Sequence, residues 1–217
     1  MAKKKIITAR RSILCANDRQ AAANTRLFKK LDLTTINVMA SPGAGKTNLL
    51  VHLLKALSSH GSVGVIEGDV ASSIDAEHIA ALGYPVTQIN TDGGCHLNAS
   101  DIAAALKELN LAGPGFLFIE NIGNLICPAA FDLGERVRLV LASVPEGDDK
   151  PRKYPGIFMK ADVVVVNKLD TLAAFDFDRA AFIAGVRAVN PAAPILEVSC
   201  RTGQGLDALA DWLLALR

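Results

Sequence analysis

Aromatic residues make up only 5% of the 217 positions, with a single tryptophan, and the apolar half of the chain is rich in alanine, valine, leucine and isoleucine instead. That composition suits strands buried on both faces by helices. Net charge is nearly absent too, since 23 Lys and Arg stand against 22 Asp and Glu. An even balance gives no electrostatic footprint for nucleic acid or an anionic membrane surface. No uninterrupted run of about 18 apolar residues occurs, so no membrane-crossing helix is expected. Cysteine is scarce. Cys15, Cys95, Cys127 and Cys200 are too few and too scattered for a disulfide scaffold, and in a reducing compartment they are buried thiols or metal ligands. The basic start Met1-Ala2-Lys3-Lys4-Lys5 has the first feature of a secretory leader, but Ile6-Ile7-Thr8-Ala9-Arg10-Arg11 breaks the apolar stretch a leader needs. A cytoplasmic protein is expected. Internal repeats, low-complexity segments and dividing linkers are also missing, and the length suffices for one full core.

What is present is organised around one stretch. Met39-Ala40-Ser41-Pro42-Gly43-Ala44-Gly45-Lys46-Thr47 follows the apolar run Ile36-Asn37-Val38 and precedes the helix-like Asn48-Leu49-Leu50-Val51-His52-Leu53-Leu54. A strand, a glycine-rich turn and a helix start, in that order, make a phosphate-binding loop. The N–H groups of such a turn point inward at a helix N-terminus, where unpaired donors and the macrodipole favour an anion. Gly43, Ala44 and Gly45 would cradle phosphates, Lys46 would reach the outer ones, and Thr47 would place its hydroxyl on Mg²⁺. The pattern's opening glycine is Ala40 here. Alanine is acceptable there only if its backbone avoids positive φ, while Gly43 and Gly45 remain where the turn is tightest. The plain alternative is a glycine-containing turn with a surface lysine.

Residues 1–34 read as an N-terminal helical lead with an apolar stripe of Leu14, Ala21, Leu27, Phe28 and Leu31, and residues 35–217 as a single P-loop domain. Further strands are expected over 62–67, 85–89, 116–119, 137–143, 163–166 and 195–198. Helices are expected to start near Asp75, to run over 98–109 and to close the chain over 206–216 with Trp212 on the apolar side. Ser73 or Asp75 can cap the first of these. Residues 145–158, with three prolines and two glycines, read as a loop without periodicity. Strands alternating with helices give an α/β fold, a mostly parallel sheet with helices on both faces and right-handed crossovers. Ligands then gather at the carboxyl ends of the strands.

Asn167-Lys168-Leu169-Asp170 closes the strand over 163–166. An aspartate there can accept two N–H groups from the guanine edge, a paired charge-assisted contact that adenine cannot offer, and its unpaired carboxylate would reject adenine. Lys168 would lay its alkyl stem along the purine, Asn167 would brace the loop, and Ser199 would be a second contact to the base. A polar strand-to-loop junction, and for Ser199 a turn residue, are the plain alternatives. Glu120 and Asp75, and less directly Asp69, are candidates for organising Mg²⁺ and water, with Gly123 bringing an N–H to the terminal phosphate. Either aspartate could equally be a cap or turn residue. No glutamine stands where it would orient the attacking water, and no arginine finger is evident. Intrinsic hydrolysis well under about 1 s⁻¹ is therefore expected.

Cys95 and His96 follow the third strand, and Cys127 lies in the loop after the fourth. Two thiolates and one imidazole suit Zn²⁺ or Ni²⁺. Three ligands leave the set open, and a two-fold dimer could complete it. Three ordinary buried residues are the alternative. Cys15 and Cys200 read as structural, and His52, His60 and His78 as surface residues.

Ser41-Pro42-Gly43-Ala44-Gly45-Lys46-Thr47, Glu67-Gly68-Asp69 with Asp75-Ala76-Glu77, Cys95-His96-Leu97, Phe118-Ile119-Glu120-Asn121-Ile122-Gly123-Asn124-Leu125-Ile126-Cys127-Pro128, Glu146-Gly147-Asp148-Asp149 and Asn167-Lys168-Leu169-Asp170 together carry a resemblance. From about residue 24 to the C-terminus the chain resembles the hydrogenase nickel-insertion GTPases of the HypB family. Residues 120–128 are the most specific piece and separate that family from the urease nickel-insertion GTPases. The resemblance implies a SIMIBI-like G domain that hydrolyses GTP to GDP and phosphate with Mg²⁺. It further implies delivery of nickel to the [NiFe]-hydrogenase large subunit, together with a small zinc-containing nickel chaperone. GTP-dependent homodimerisation and a Ni²⁺ or Zn²⁺ site of Cys95, His96 and Cys127 are implied as well. The N-terminal cysteine-rich or histidine-rich nickel motifs of some members are missing, since Cys15 stands alone. Because Cys127 shares a loop with Glu120 and Gly123, metal affinity is expected to differ between GTP and GDP states by about 1–3 kcal/mol. Competing classes are a small-molecule kinase, a nickel or zinc store that keeps a nucleotide fold, and nickel insertion into another enzyme such as urease.

Overall fold

Helix α1 (Ala9–Lys30) leads into β1 (Leu33–Ala40), and from there strands and helices alternate: α2 (Lys46–Leu57), β2 (Ser62–Asp69), α3 (Ile74–Ala81), β3 (Val86–Asn90), α4 (Ala99–Glu108) and β4 (Gly115–Glu120). The second half holds β5 (Val137–Ser143), two short helices α5 (Lys150–Lys153) and α6 (Pro155–Met159), β6 (Val163–Asn167), α7 (Arg179–Val189), β7 (Ile195–Glu197) and α8 (Leu206–Leu214). This computed structural model describes residues 9–70, 72–111 and 113–217, so the basic start at 1–5 lies outside the described residues. All seven expected strands form, each within two residues of its expected bounds except β1, which starts three residues before Ile36.

They make one parallel sheet in the order β3-β2-β4-β1-β5-β6-β7. β1 lies in the middle, and the chain leaves it toward β2 on one side and later returns to add β5 on the other. A crevice opens at such a switch point, beyond the carboxyl ends of the strands. The register places Glu120 of β4 opposite both Val38 of β1 and Glu67 of β2. Two carboxylates, one ending β4 and one two residues before the end of β2, therefore lie side by side on neighbouring strands.

Along β1 the side chains alternate between two layers. Ile36, Val38 and Ala40 pack with Leu49, Leu53 and Leu57 of α2 and Leu209 and Leu213 of α8, while Met39 packs with Phe158 of α6 and Phe182 and Val186 of α7. Burial on both faces explains the continuous apolar strands, each fully buried large side chain contributing about 1.5–3 kcal/mol. The fold is the expected α/β P-loop architecture. Trp212 is half-buried against the first layer. No helix among the described residues is long and apolar enough to cross a membrane.

Three local expectations are corrected. The buried face of α1 is formed by Asn17, Ala21, Asn24 and Phe28, while Leu27 and Leu31 are 39% and 43% exposed. The asparagines replace apolar contact with amide bridges. Asn24 Nδ2 donates to the carbonyls of Ala99 (2.7 Å) and Leu133 (2.9 Å), and Asn17 bonds the Asp132 carbonyl and the Ala99 N–H. Residues 145–158 are not a loop. Pro145, Pro151 and Pro155 each occupy a first turn of a short helical segment, where the missing N–H costs nothing, and Ile157 and Phe158 are fully buried. Helices of four or five residues are too short to show periodicity. Finally, Ser73 sits at the N-cap of α3 but makes no cap bond, its hydroxyl donating to Glu77 instead (2.5 Å). Asp75, in the first turn, is free of capping duty.

Candidate nucleotide and metal site

Ala40 is fully buried at the end of β1 and keeps negative φ, which explains why alanine is accommodated there. Gly43 and Gly45 have φ of 78° and 96°, and a Cβ on Gly45 would come within 2.7 Å of Asn167 Nδ2. No side chain caps α2. Its first N–H groups are left for an anion, beside an inner cavity of about 320 Å³ lined by Gly43, Gly45, Lys46, Thr47, Asn48, Asp75, Glu120 and Lys168.

Asn167, at the end of β6, ties three segments together. Its Nδ2 donates to the Ala44 carbonyl (3.0 Å), and its Oδ1 accepts from the N–H groups of Lys168 (2.7 Å) and Cys200 (3.2 Å). Lys168, at φ 62°, reaches back across the groove so that Nζ donates to the Gly43 carbonyl (2.7 Å). An outer cavity of about 510 Å³ continues from the inner one, lined by Asn167, Lys168, Asp170, Cys200 and Arg201 together with Asn48 and His52 of α2. Asp170 Oδ1 accepts from Ser199 Oγ (2.6 Å), and Arg201 lies 3.7 Å from Oδ2. Ser199 itself is fully buried, so its side chain stands behind Asp170 and does not line the cavity. The joined groove can hold a polyanion at one end and a flat, hydrogen-bonding ring at the other.

Thr47 Oγ1 donates to Glu120 Oε1 (3.0 Å), while Glu120 Oε2 and Glu67 Oε2 are buried with no partner. Burial pushes Glu120 up to about 7, against the pull of Lys46 and the Thr47 hydrogen bond. Burial, then the charges of Glu120, Asp69 and Asp75, push Glu67 up to about 8. Orphaned carboxylate oxygens beside a threonine hydroxyl are the hard donor set of Mg²⁺, so the residues present fit that ion. Glu67 was missed as a site residue. The signal was there, since a carboxylate closing the buried run Val63-Gly64-Val65-Ile66 has no packing reason to be acidic.

At the neighbouring edge the ligand atoms of Cys95, His96 and Cys127 lie within 4.8 Å of one another. Cys95 Sγ is 2.8 Å from Cys127 Sγ and 3.4 Å from His96 Nδ1. The hydrogen bond to Cys127, then burial, raise the Cys95 thiol above its ordinary value. Burial lowers the His96 imidazole, which stacks on Phe131 at 3.8 Å and is kept neutral as a ligand must be. Two soft sulfurs and one nitrogen suit Zn²⁺ or Ni²⁺ and leave coordination positions open. Cys15 is exposed, which removes its expected structural role, and half-buried Cys200 borders the outer cavity. His60 and His78 are exposed as expected. His52 is half-buried, with Nε2 2.8 Å from the Cys200 carbonyl, and links α2 to the outer loop.

Residues 34–197 match the CobW/HypB/UreG nucleotide-binding domain family. The hydrogenase maturation factor HypB of Rhizobium leguminosarum bv. viciae is 46% identical over 213 residues, which cover 98% of this chain and 71% of that protein. A crystal structure of HypB from Helicobacter pylori in complex with nickel aligns with a TM-score of 0.88 at 38% identity, over 92% of this chain and 94% of that one. HypB from Archaeoglobus fulgidus aligns at 0.85 with 36% identity, over 94% and 99% respectively. With its phosphate loop bonded to Asn167 beside a continuous groove, the chain belongs to the HypB group of the CobW/HypB/UreG nucleotide-binding family.

Proposed function

We propose that this chain is a GTP-hydrolysing metallochaperone that hands nickel on during [NiFe]-hydrogenase maturation. The observation that carries the reading is the run of residues 120–127. Glu120 at its start is bonded to Thr47 of the phosphate loop, and Cys127 at its end is one of three clustered side chains able to ligate a metal. The nickel-bound Helicobacter pylori structure supports nickel as the cargo.

In this reading GTP lies along the groove with its triphosphate against the free N–H groups of α2 and its base against Asp170. Lys46 neutralises the outer phosphate oxygens, and Lys168 covers the groove with its stem. Water attacks the γ-phosphorus, the bond from that phosphorus to the β,γ-bridging oxygen breaks, and GDP and phosphate leave. Thr47, Glu120 and Asp75 would hold Mg²⁺, which when bound offsets phosphate charge. Asp69 and Glu67 support that acidic wall. Among the described residues no glutamine lines the inner cavity to orient the water, so turnover without a partner stays well under about 1 s⁻¹. Multiple turnovers per second by the isolated protein would contradict this.

Cys95, His96 and Cys127 hold Ni²⁺ with Zn²⁺ as competitor, and a second copy of the chain joined in the GTP state completes the ligand set. Partners in the cytoplasm are a small zinc-containing nickel chaperone as donor and the hydrogenase large subunit as recipient. The deciding experiment is steady-state phosphate release with GTP or ATP and no added acceptor. GTP-selective release is expected; release only when a small-molecule acceptor is added would mean a kinase, and release equal with ATP would remove the guanine assignment.

A further inference from the structure

Within residues 120–127 one side chain touches both metal-bearing segments. Asn124 Nδ2 donates to the Cys95 carbonyl at 3.3 Å, while its Oδ1 accepts from the N–H groups of Ile126 (2.8 Å) and Cys127 (3.4 Å). One residue upstream, Gly123 lies so close to the phosphate loop that a Cβ there would come within 2.9 Å of Pro42 Cγ. The front of the loop thus rests on the phosphate loop, and Asn124 binds its back to both cysteine segments.

Asn121, three residues earlier, is built as an anchor. Its Oδ1 accepts from the Leu97 N–H (3.3 Å) and its Nδ2 donates to Asn37 Oδ1 (3.2 Å), which in turn bonds Glu135 through Nδ2 (3.2 Å). Asn37 is fully buried in β1 and Asn121 is 1% exposed. Leu97 is therefore pinned to the sheet, whereas Cys95, two residues before it, is tied to the part of the loop that faces Pro42. A shift of Gly123 against a fixed Leu97 must be taken up between them, where Cys95 and His96 lie.

We propose that Asn124 is the positioning residue that carries nucleotide state to the metal ligands. A displacement of Gly123 relative to Pro42 passes through Asn124 to the Cys95 carbonyl and the Cys127 N–H together, which changes how the two thiols and His96 face a metal ion. This rests on the reading that the chain binds nickel in a nucleotide-dependent way, and it assigns the coupling to one side chain.

The test is a Ni²⁺ titration of the reduced full-length protein, with GDP or with a non-hydrolysable GTP analogue, in wild type, Asn124→Ala and Asn124→Asp. Thermal melting and GDP affinity serve as folding checks. Wild type is expected to show about a tenfold affinity ratio between the two states. In both variants that ratio falls below about twofold, while Ni²⁺ still binds. Asn124→Asp decides against a role in the local turn alone: its carboxylate still accepts from Ile126 and Cys127 but cannot donate to Cys95, and its added charge raises affinity in both states and cancels in the ratio. A wild-type ratio kept in the aspartate variant overturns the assignment. A wild-type ratio near one overturns the coupled reading of the two sites, and the assignment falls with it.

Discussion

Around the nucleotide groove several polar side chains hold another part of the same groove. Asn167 joins the phosphate loop to the Cys200 backbone, Lys168 reaches the Gly43 carbonyl, and Ser199 holds Asp170. Around the metal trio the ligands touch mainly each other and one ring, with Cys95 exposed and Ile126 66% exposed beside Cys127. A groove locked by its own hydrogen bonds is pre-organised, so little ordering opposes ligand binding. A trio held by a few backbone ties can change spacing at small cost. The first arrangement suits selective recognition, and the second suits taking a metal up and letting it go.

The comparison breaks most visibly at Lys46. Lys46→Ala should reduce phosphate release by about 10³-fold, since it removes the cation facing the outer phosphates, yet leave Ni²⁺ binding without nucleotide unchanged. Loss of Ni²⁺ binding in this variant would show that the two regions are not separately built. From the other side, Cys127→Ala should weaken Ni²⁺ by at least about 100-fold and leave GTP affinity within about twofold. Loss of both in the same titrations would make Cys127 a structural residue. Asp170→Asn should cost about 10- to 100-fold in GTP affinity with ATP binding unaffected. Competition against a fluorescent nucleotide measures it, and an unchanged preference for GTP over ATP contradicts the pairing.

The smallest effect sharpens the picture of the acidic wall. With Mg²⁺ chelated, Glu67 and Glu120, facing Lys46, Asp69 and Asp75, keep protons in the folded state that the unfolded chain releases near its ordinary carboxylate value. The folded state then binds more protons, so stability falls as pH rises from about 4.5 to about 8 and levels off above that. Glu67→Gln should flatten the upper part of this fall by a few degrees in Tm, with each kcal/mol shifting Tm by about 2–4 °C at this chain length. Identical melting curves for wild type and variant between pH 5.5 and 8.5 would contradict the assignment.

Strand positions were legible because parallel strands buried on both faces read as continuous apolar runs, and the phosphate loop because its chemistry demands fixed spacing. Residues far apart in sequence, Lys46 with Glu120 and Asn167 with Ala44, meet only through the strand order, which position along the chain does not display. The buried face of α1 was misjudged because Asn17 and Asn24 satisfy themselves by bonds to other segments, whereas apolar periodicity selected Leu27 and Leu31. The helices in 145–158 escaped because each is barely one turn long and carries a proline in its first turn. His52, Glu67 and Asn124 act through partners 148, 53 and 29 positions away, in Cys200, Glu120 and Cys95. Such ties are a property of the folded chain and leave no local pattern.

The central claim, that one loop joins a stiff nucleotide groove to an adjustable metal trio, has a direct reciprocal test. The affinities for GDP and for a non-hydrolysable GTP analogue are measured on the reduced protein with and without saturating Ni²⁺. Coupling of binding free energies is symmetric, so Ni²⁺ is predicted to change the ratio of the two affinities by about tenfold, the same factor by which nucleotide changes Ni²⁺ affinity. A ratio identical with and without Ni²⁺ would contradict the account and leave two sites that share a loop without sharing energy.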